Sequence, residues 1–169
     1  MDFVIRPLRK SDTVKFEAAF KAQGWHKPAS QYMGYYNEQC NGLRKVFVAA
    51  DREDRVLGYL TLVDEAKAGP FMGTGFPEIV DFNVLKAYQR QGIGAALMDA
   101  AEAEAAKASH TVCLGVGLHK GYGSAQRMYV KRGYVPDGSG VWFEDRQPEE
   151  MENVRNDDSL ILHLSKKLP

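Results

Sequence analysis

The chain has 169 residues, enough for one domain with a substantial core. Apolar residues make up 44% and charged residues 26%, and 22 basic side chains balance 22 acidic ones. Zero formal net charge argues against a nucleic-acid binder dominated by phosphate contacts. Cys40 and Cys113 form no CxxC pair, and His26, His110, His119 and His163 are scattered, so no zinc signature appears. Met1 to Arg6 lacks the basic-then-apolar layout of a signal peptide, and no apolar run approaches the ~20 residues that span a bilayer. The expectation is a cytoplasmic protein with two free thiols, one domain over residues 1–169, and no metal.

Phe3 to Pro7 reads as a short strand. Ser11 is the expected N-cap of a helix with apolar residues at helical spacing from Val14 to Ala22. Gly24 and Pro28 break that pattern, and Ser30 is the expected cap of a second helix reaching about Asn41, with Gly42 as its stop. Lys45 to Asp51 and Arg55 to Val63 read as strands joined by the turn Asp51-Arg52-Glu53-Asp54. Asp64 to Pro77 holds three glycines and two prolines and reads as a long loop, a length that in compact domains often serves function.

Glu78 to Val84 is predicted as a strand and Ile93 to Ala108 as a helix. Ile93, Leu97, Ala101 and Ala105 form its apolar line, while Asp99, Glu102 and Lys107 face water. Val112 to Val116 reads as a short buried strand. Ser124 is the expected cap of a helix through Arg132, ended by Gly133. Val141 to Phe143 and Leu160 to Ser165 are the last two strands, separated by a charged, solvated segment from Glu144 to Asp158. One mixed sheet flanked by helices fits this order.

The junction between Val84 and Ala95 is the most informative stretch. Gln89, Arg90, Gln91, Gly92, Ile93, Gly94 and Ala95 form a short basic loop running into the helix. Two glycines one residue apart let backbone amides approach an anion without interference from Cβ. The helix that follows aims its positive end at the same point. A strand delivering its last residues to such a loop is a site for a nucleotide-like cofactor. The loop has the form Q/R-x-x-G-x-G/A, and some thirty residues on comes Ala125-Gln126-Arg127-Met128-Tyr129-Val130-Lys131-Arg132-Gly133-Tyr134. Together these resemble the motifs of the GNAT superfamily of N-acetyltransferases, most strongly from Glu78 to Gly138. Within it the chain is similar to a bacterial branch without an assigned substrate.

The resemblance implies an α+β fold, with a mixed, largely antiparallel sheet of six or seven strands flanked by about four helices. It implies acetyl-CoA as donor. Backbone amides from Gln89 to Ala95 would hold the pyrophosphate, and Phe82 to Val84 would pair with the pantetheine arm as a strand would. Many relatives have Asn where this chain has Tyr122, which puts a pantetheine contact by that side chain in doubt.

Acetyl transfer requires a neutral amine, a stabilised oxyanion and a leaving thiolate. A lysine-like amine has a pKa of ~10.4, so at neutral pH only about one molecule in a few thousand is neutral. A positioned general base is worth roughly 10² to 10⁴. Glu78 is the candidate base, because one protein-acetylating branch of the superfamily carries a glutamate at the same distance from the glycine loop. Asp81, expected on the opposite strand face, is the rival base or a group orienting an acceptor ammonium. Tyr129 is the candidate acid for the departing sulfur, and Val84 N–H the candidate oxyanion donor. Arg90, Arg127, Lys131 and Arg132 are candidates for the 3′-phosphate.

Trp25, His26, Tyr32, Tyr35 and Tyr36 are the aromatic cluster expected near the acceptor. Tyr32, Tyr35 and Tyr36 share a helical face, which suits either an acceptor wall or packing on the sheet. Phe71, Met72 and Phe76 are candidates for a lid hinged at Gly73 and Gly75. The expected acceptor is a small-molecule amine or amino acid. A peptide or protein amine, or a CoA-binding sensor that transfers nothing, stand as alternatives. A homodimer fits the charged tail and last strand; no nucleic acid or membrane partner is expected.

Overall fold

The computed structural model describes residues 2–169. The elements run β1 (Phe3–Pro7), α1 (Asp12–Ala22), α2 (Ala29–Cys40), β2 (Lys45–Asp51), β3 (Val56–Val63), β4 (Glu78–Val84), α3 (Ile93–Ala105), β5 (Thr111–Gly117), α4 (Gly123–Lys131), β6 (Val135–Phe143) and β7 (Leu160–Lys167). Short 3₁₀ turns occupy Gly69–Phe71, Lys86–Tyr88 and Lys120–Tyr122. The sheet has seven strands in the order β1-β2-β3-β4-β5-β7-β6; β1–β2, β2–β3, β5–β7 and β7–β6 are antiparallel and β4 runs parallel to β5. This is the mixed, largely antiparallel sheet with four helices that the motifs imply.

The chain divides into two units, residues 1–63 with 80–104, and residues 64–79 with 105–169. In the first, β3 is buried along almost its whole length, which its mostly apolar run Val56 to Leu62, interrupted by Gly58 and Thr61, explains for an interior strand. Its core is aromatic. Phe16 stacks on Tyr32 at 4.9 Å, and Tyr59 meets both rings edge-on at 5.1 and 5.3 Å. Such pairs contribute about 0.5–1.5 kcal/mol each beyond their area. In the second unit β5 and β7 pair over their whole lengths, from Thr111 opposite Lys167 to Gly117 opposite Ile161.

Ser11 stands at the N-cap position of α1 as expected, though without a capping bond, and two other expected caps, Ser30 and Ser124, are corrected. The backbone of Ser11 is helical. The neighbouring Asp12 organises the entry instead, accepting from the Arg9 amide at 2.8 Å and from Arg6 Nη1 at 2.6 Å. That buried ion pair raises the Arg6 pKa further. The cause is the Asp12 hydrogen bond, against which burial works. Ser30 lies inside α2, which starts behind the extended Pro28. Ser124 lies inside α4, because the His119 ring accepts from the Gly121 amide at 3.0 Å and turns the chain earlier.

β6 is also longer than expected. Gly138 and Gly140 have left-handed backbones and its register shifts between Pro136 and Val141, so the irregular half does not read as a strand in the sequence. The helix expected to reach Ala108 ends at Ala105, and the strand expected to end at Ser165 runs to Lys167.

Candidate active site

In the first unit, the loop after β4 is built by backbone conformation. Arg90 and Gly92 have φ of 60° and 83°, with Gln91 between them. Left-handed residues alternating with others turn successive amides toward one side, the geometry of an anion-binding concavity. A Cβ at Gly92 would meet nothing within 4 Å, so glycine is required there by its backbone and not by space. Gln89 Nε2 donates to the Val84 carbonyl at 3.1 Å and Gln91 Nε2 to the Ala87 carbonyl at 3.3 Å. Both side chains thus brace the loop, and the Gln89 amide closes the preceding 3₁₀ turn by donating to the Lys86 carbonyl at 3.4 Å.

The Ala96 amide makes the first helical bond, to the Gly92 carbonyl at 3.0 Å. The amides of Ile93, Gly94 and Ala95 precede it and have no acceptor within the helix. Ile93, Leu97, Ala101 and Ala105 are all buried, as their spacing implies. Glu102, expected to face water, is instead only 9% exposed; it follows the buried Met98 by one turn.

β4 departs from regular strand at Asp81, whose φ is 51°. The parallel ladder to β5 covers only Glu78 opposite Cys113 and Ile79 opposite Leu114. A left-handed non-glycine residue inside a strand costs about 1–3 kcal/mol and breaks the alternation of faces. On the other flank, a Cβ at Gly58 of β3 would lie 2.7 Å from the Asn83 carbonyl oxygen and 3.0 Å from the Val84 Cα. Only glycine lets β3 come that close to the stretch Phe82 to Val84. A glycine in an apolar strand run is the signal that marks this approach, and sequence reading passed over it.

The Asp81 carboxylate gathers five donors. Oδ2 accepts from the Tyr59 hydroxyl at 2.6 Å, the Tyr35 hydroxyl at 2.9 Å and Gln31 Nε2 at 2.9 Å. Oδ1 accepts from Asn83 Nδ2 at 2.9 Å and Lys27 Nζ at 3.0 Å. A carboxylate offers about four acceptor sites, so it has none left for an amine proton. That weighs against Asp81 as base. Burial and the Asp81 charge push the Tyr35 hydroxyl up to about 12 and the Tyr59 hydroxyl far higher, so both phenols stay protonated donors. The Arg44 guanidinium lies 4.6 Å over the Tyr35 ring. It also pairs with Glu38 and donates to the Thr61 hydroxyl, which in turn donates to the Val80 carbonyl.

The aromatic cluster separates into two kinds. Tyr32, expected at the acceptor, is 0% exposed and belongs to the core, because three rings enclose it; it supports Tyr35 edge-on at 6.2 Å. Tyr36 packs against the same core. Trp25 is exposed, stacked on Phe20 at 5.9 Å with Lys86 Nζ 5.0 Å from its ring. A cleft of about 700 Å³ in this unit, lined by Ala19, Gln23, Val56, Leu85 and Tyr88 among others, includes none of the expected site residues.

In the second unit, Glu78 is half-buried beside Cys113. Burial and the Glu78 charge push the Cys113 thiol up to about 12, so it is an inert core group. Tyr129 is 6% exposed, 5.7 Å from the Tyr134 ring, and burial raises its hydroxyl well above the ordinary phenol value. It therefore carries its proton at neutral pH. Tyr122 donates to Asp158 Oδ1 at 3.0 Å, the oxygen that also meets His119 Nε2 at 2.9 Å. A Cβ at Gly117 would lie 2.3 Å from the Tyr122 ring.

Two of the three expected lid residues are structural. Phe71 is buried with Ala66 and Cys113, and Phe76 packs against them; only Met72, 65% exposed, faces solvent. Arg90, Arg127 and Lys131 are exposed and Arg132 half-buried. Among the described residues no group of three or more His, Cys, Asp or Glu is placed to hold a metal, and no helix is long and apolar enough to cross a membrane.

Comparison with known proteins agrees with the fold. The fold is similar to that of Ard1 from Thermoplasma volcanium, with a TM-score of 0.71 at 18% identity over 100% of this chain and 99% of that one. An N-acetyltransferase from Staphylococcus aureus Mu50 superposes with a TM-score of 0.73 at 15% identity, covering both chains completely. Mutant forms of the spermidine/spermine N-acetyltransferase SpeG from Vibrio cholerae give 0.65 at 16% identity over 98% of this chain and 95% of that one. No curated protein matches the sequence. The model of the acetyltransferase (GNAT) family matches residues 11–134, most of the chain, and the chain belongs to that family of acyltransferases.

Proposed function

We propose that this chain moves the acetyl group of acetyl-CoA directly to a primary amine of a small molecule or amino acid. The observation that carries the reading is the left-handed pair Arg90 and Gly92 set immediately before the first-turn amides of α3. Acetyl-CoA supplies the thioester. The amides from Arg90 to Ala95 hold its pyrophosphate, and the backbone from Phe82 to Val84 lies along the pantetheine. Val84 N–H stabilises the oxyanion as the amine nitrogen bonds to the carbonyl carbon. Glu78, directly or through water, takes the proton that the nitrogen sheds. The C–S bond breaks, and Tyr129, protonated at neutral pH, gives a proton to the thiolate and regains one from water, to which Glu78 in turn releases the proton it took. Asp81, Tyr35 and Trp25 serve the acceptor.

The test is a screen of primary amines and amino acids with acetyl-CoA, read by thiol release. Steady, amine-dependent release supports transfer. Binding of acetyl-CoA with no release for any amine reduces the protein to a CoA-binding module.

A further inference from the structure

Lys27 is a surplus partner. It belongs to the connection between α1 and α2, which has no regular secondary structure. Without it, Gln31, Tyr35, Tyr59 and Asn83 still give the Asp81 carboxylate four donors, about as many as it can accept. Its ammonium nonetheless occupies a formed receptor. Nζ lies 2.8 Å from the Tyr59 hydroxyl oxygen, 3.0 Å from Asp81 Oδ1, 5.6 Å from the Phe20 ring centroid and 5.5 Å from that of Tyr59. An anion and two ring faces around one nitrogen make a cage for a cation. The cage is not sealed: the side chains of Lys27 and Asp81 are 20% and 18% exposed. The strained backbone of Asp81, φ 51°, is what turns its carboxylate into this cluster of rings and donors.

We propose that this cage is the docking point for an ammonium group of the acceptor, and that Lys27 is a resident occupant which the acceptor displaces. What the cage binds is an ammonium, because a carboxylate and two ring faces attract a cation. Asp81 has no acceptor site left to relieve it of a proton. An ammonium has no lone pair with which to attack a thioester. The caged nitrogen is therefore an anchor, and the nitrogen that reacts is a second one on the same molecule. The acceptor class is a primary amine carrying a second ammonium group: a diamine, a polyamine or a basic amino acid. That assignment rests on the acetyltransferase reading; the capture of ammonium by the cage does not.

A tethered competitor acts at an effective concentration in the millimolar range, so removing it exposes the cage to dilute ligand. The experiment uses the protein without acetyl-CoA and 1,5-diaminopentane as probe, titrated by calorimetry into the wild type, Lys27→Met and Lys27→Met/Asp81→Asn. Lys27→Met, which keeps the apolar stem and removes the charge, is expected to bind about tenfold or more tighter than the wild type. The double variant is expected to lose that gain. Equal affinity in all three, or no binding by a folded Lys27→Met protein, overturns the proposal.

A second measurement needs no variant. The Lys27 side-chain methylene signals of the wild type, shifted by the currents of the Phe20 and Tyr59 rings, should move toward unshifted values as 1,5-diaminopentane is added. Signals that stay in place at the highest concentration reached also overturn it. Ammonium capture without thiol release from acetyl-CoA would sink the transferase reading and leave the cage standing. Thiol release with flat affinities across the variants would do the reverse.

Discussion

The Gln89–Ala95 loop and the Asp81 cluster lie in the same unit and a few residues apart in sequence, yet they are made from different materials. The loop is a backbone site: two left-handed residues and the bare amides of a helix start, with the glutamine side chains used as braces. The Asp81 cluster is a side-chain site whose donors arrive from α2, β3, β4 and the connection holding Lys27. A backbone site tolerates most side-chain changes and fails when its φ angles are denied. A side-chain site fails one donor at a time.

The most severe test of that contrast is Gly92→Val. A β-branched residue strongly resists φ near +83°, so acetyl-CoA affinity should fall by about a hundredfold or more in calorimetry. Unchanged affinity would mean that the loop does not hold the cofactor through its backbone. Next in size is Glu78→Gln, which should lower kcat at neutral pH by about 10² or more, with recovery as pH rises and the amine loses its proton unaided. A mutant-to-wild-type rate ratio that is flat across pH would remove Glu78 as base.

Tyr129→Phe should be milder, about tenfold or less in kcat with KM for acetyl-CoA unchanged, because a thiol of pKa ~8.5 leaves tolerably without a proton. A pure KM effect would reassign Tyr129 to packing. The smallest effect belongs to a pair of cations remote from chemistry. Hydrogen bonds from Lys15 and then Arg6 hold the Asp54 carboxyl down at about 2. Its contribution to stability is thus complete above the ordinary carboxylate value and is lost as pH falls through about 2. Asp54 is partly exposed, so screening keeps the effect small. Asp54→Asn should lower Tm slightly near neutrality and flatten its decline between about pH 4 and 2. Parallel melting curves for both proteins across that window would contradict the assignment.

The contrast also explains what could be read from the sequence. The bounds of β4 and the buried line Ile93, Leu97, Ala101 and Ala105 follow from local pattern, and the loop is one contiguous stretch, although its left-handed pair is Arg90 and Gly92 and not the two glycines. The Asp81 cluster is discontinuous: Lys27, Gln31, Tyr35, Tyr59 and Asn83 have no spacing rule that ties them to one carboxylate. Helical spacing joined Tyr32 to Tyr35, but only the packing of Phe16 and Tyr59 decides that Tyr32 is core and Tyr35 is half-open. The serine caps depart from expectation for a similar reason. The Asp12 carboxylate, bonded to Arg6, organises the entry of α1, the extended Pro28 starts α2 ahead of Ser30, and the His119 ring turns the chain ahead of Ser124. Strand β6 was foreshortened because glycines at its bulge carry no strand signature.

The ring of Tyr122 fills the volume that a methyl group on residue 117 would need. The two positions consequently share one allotment of space. Replacing the ring by asparagine would open a gap which alanine at 117 could then fill, whereas alanine arriving first would drive the ring from Asp158. Substitution along this end of β5 is therefore ordered: the aromatic residue has to leave before the glycine can.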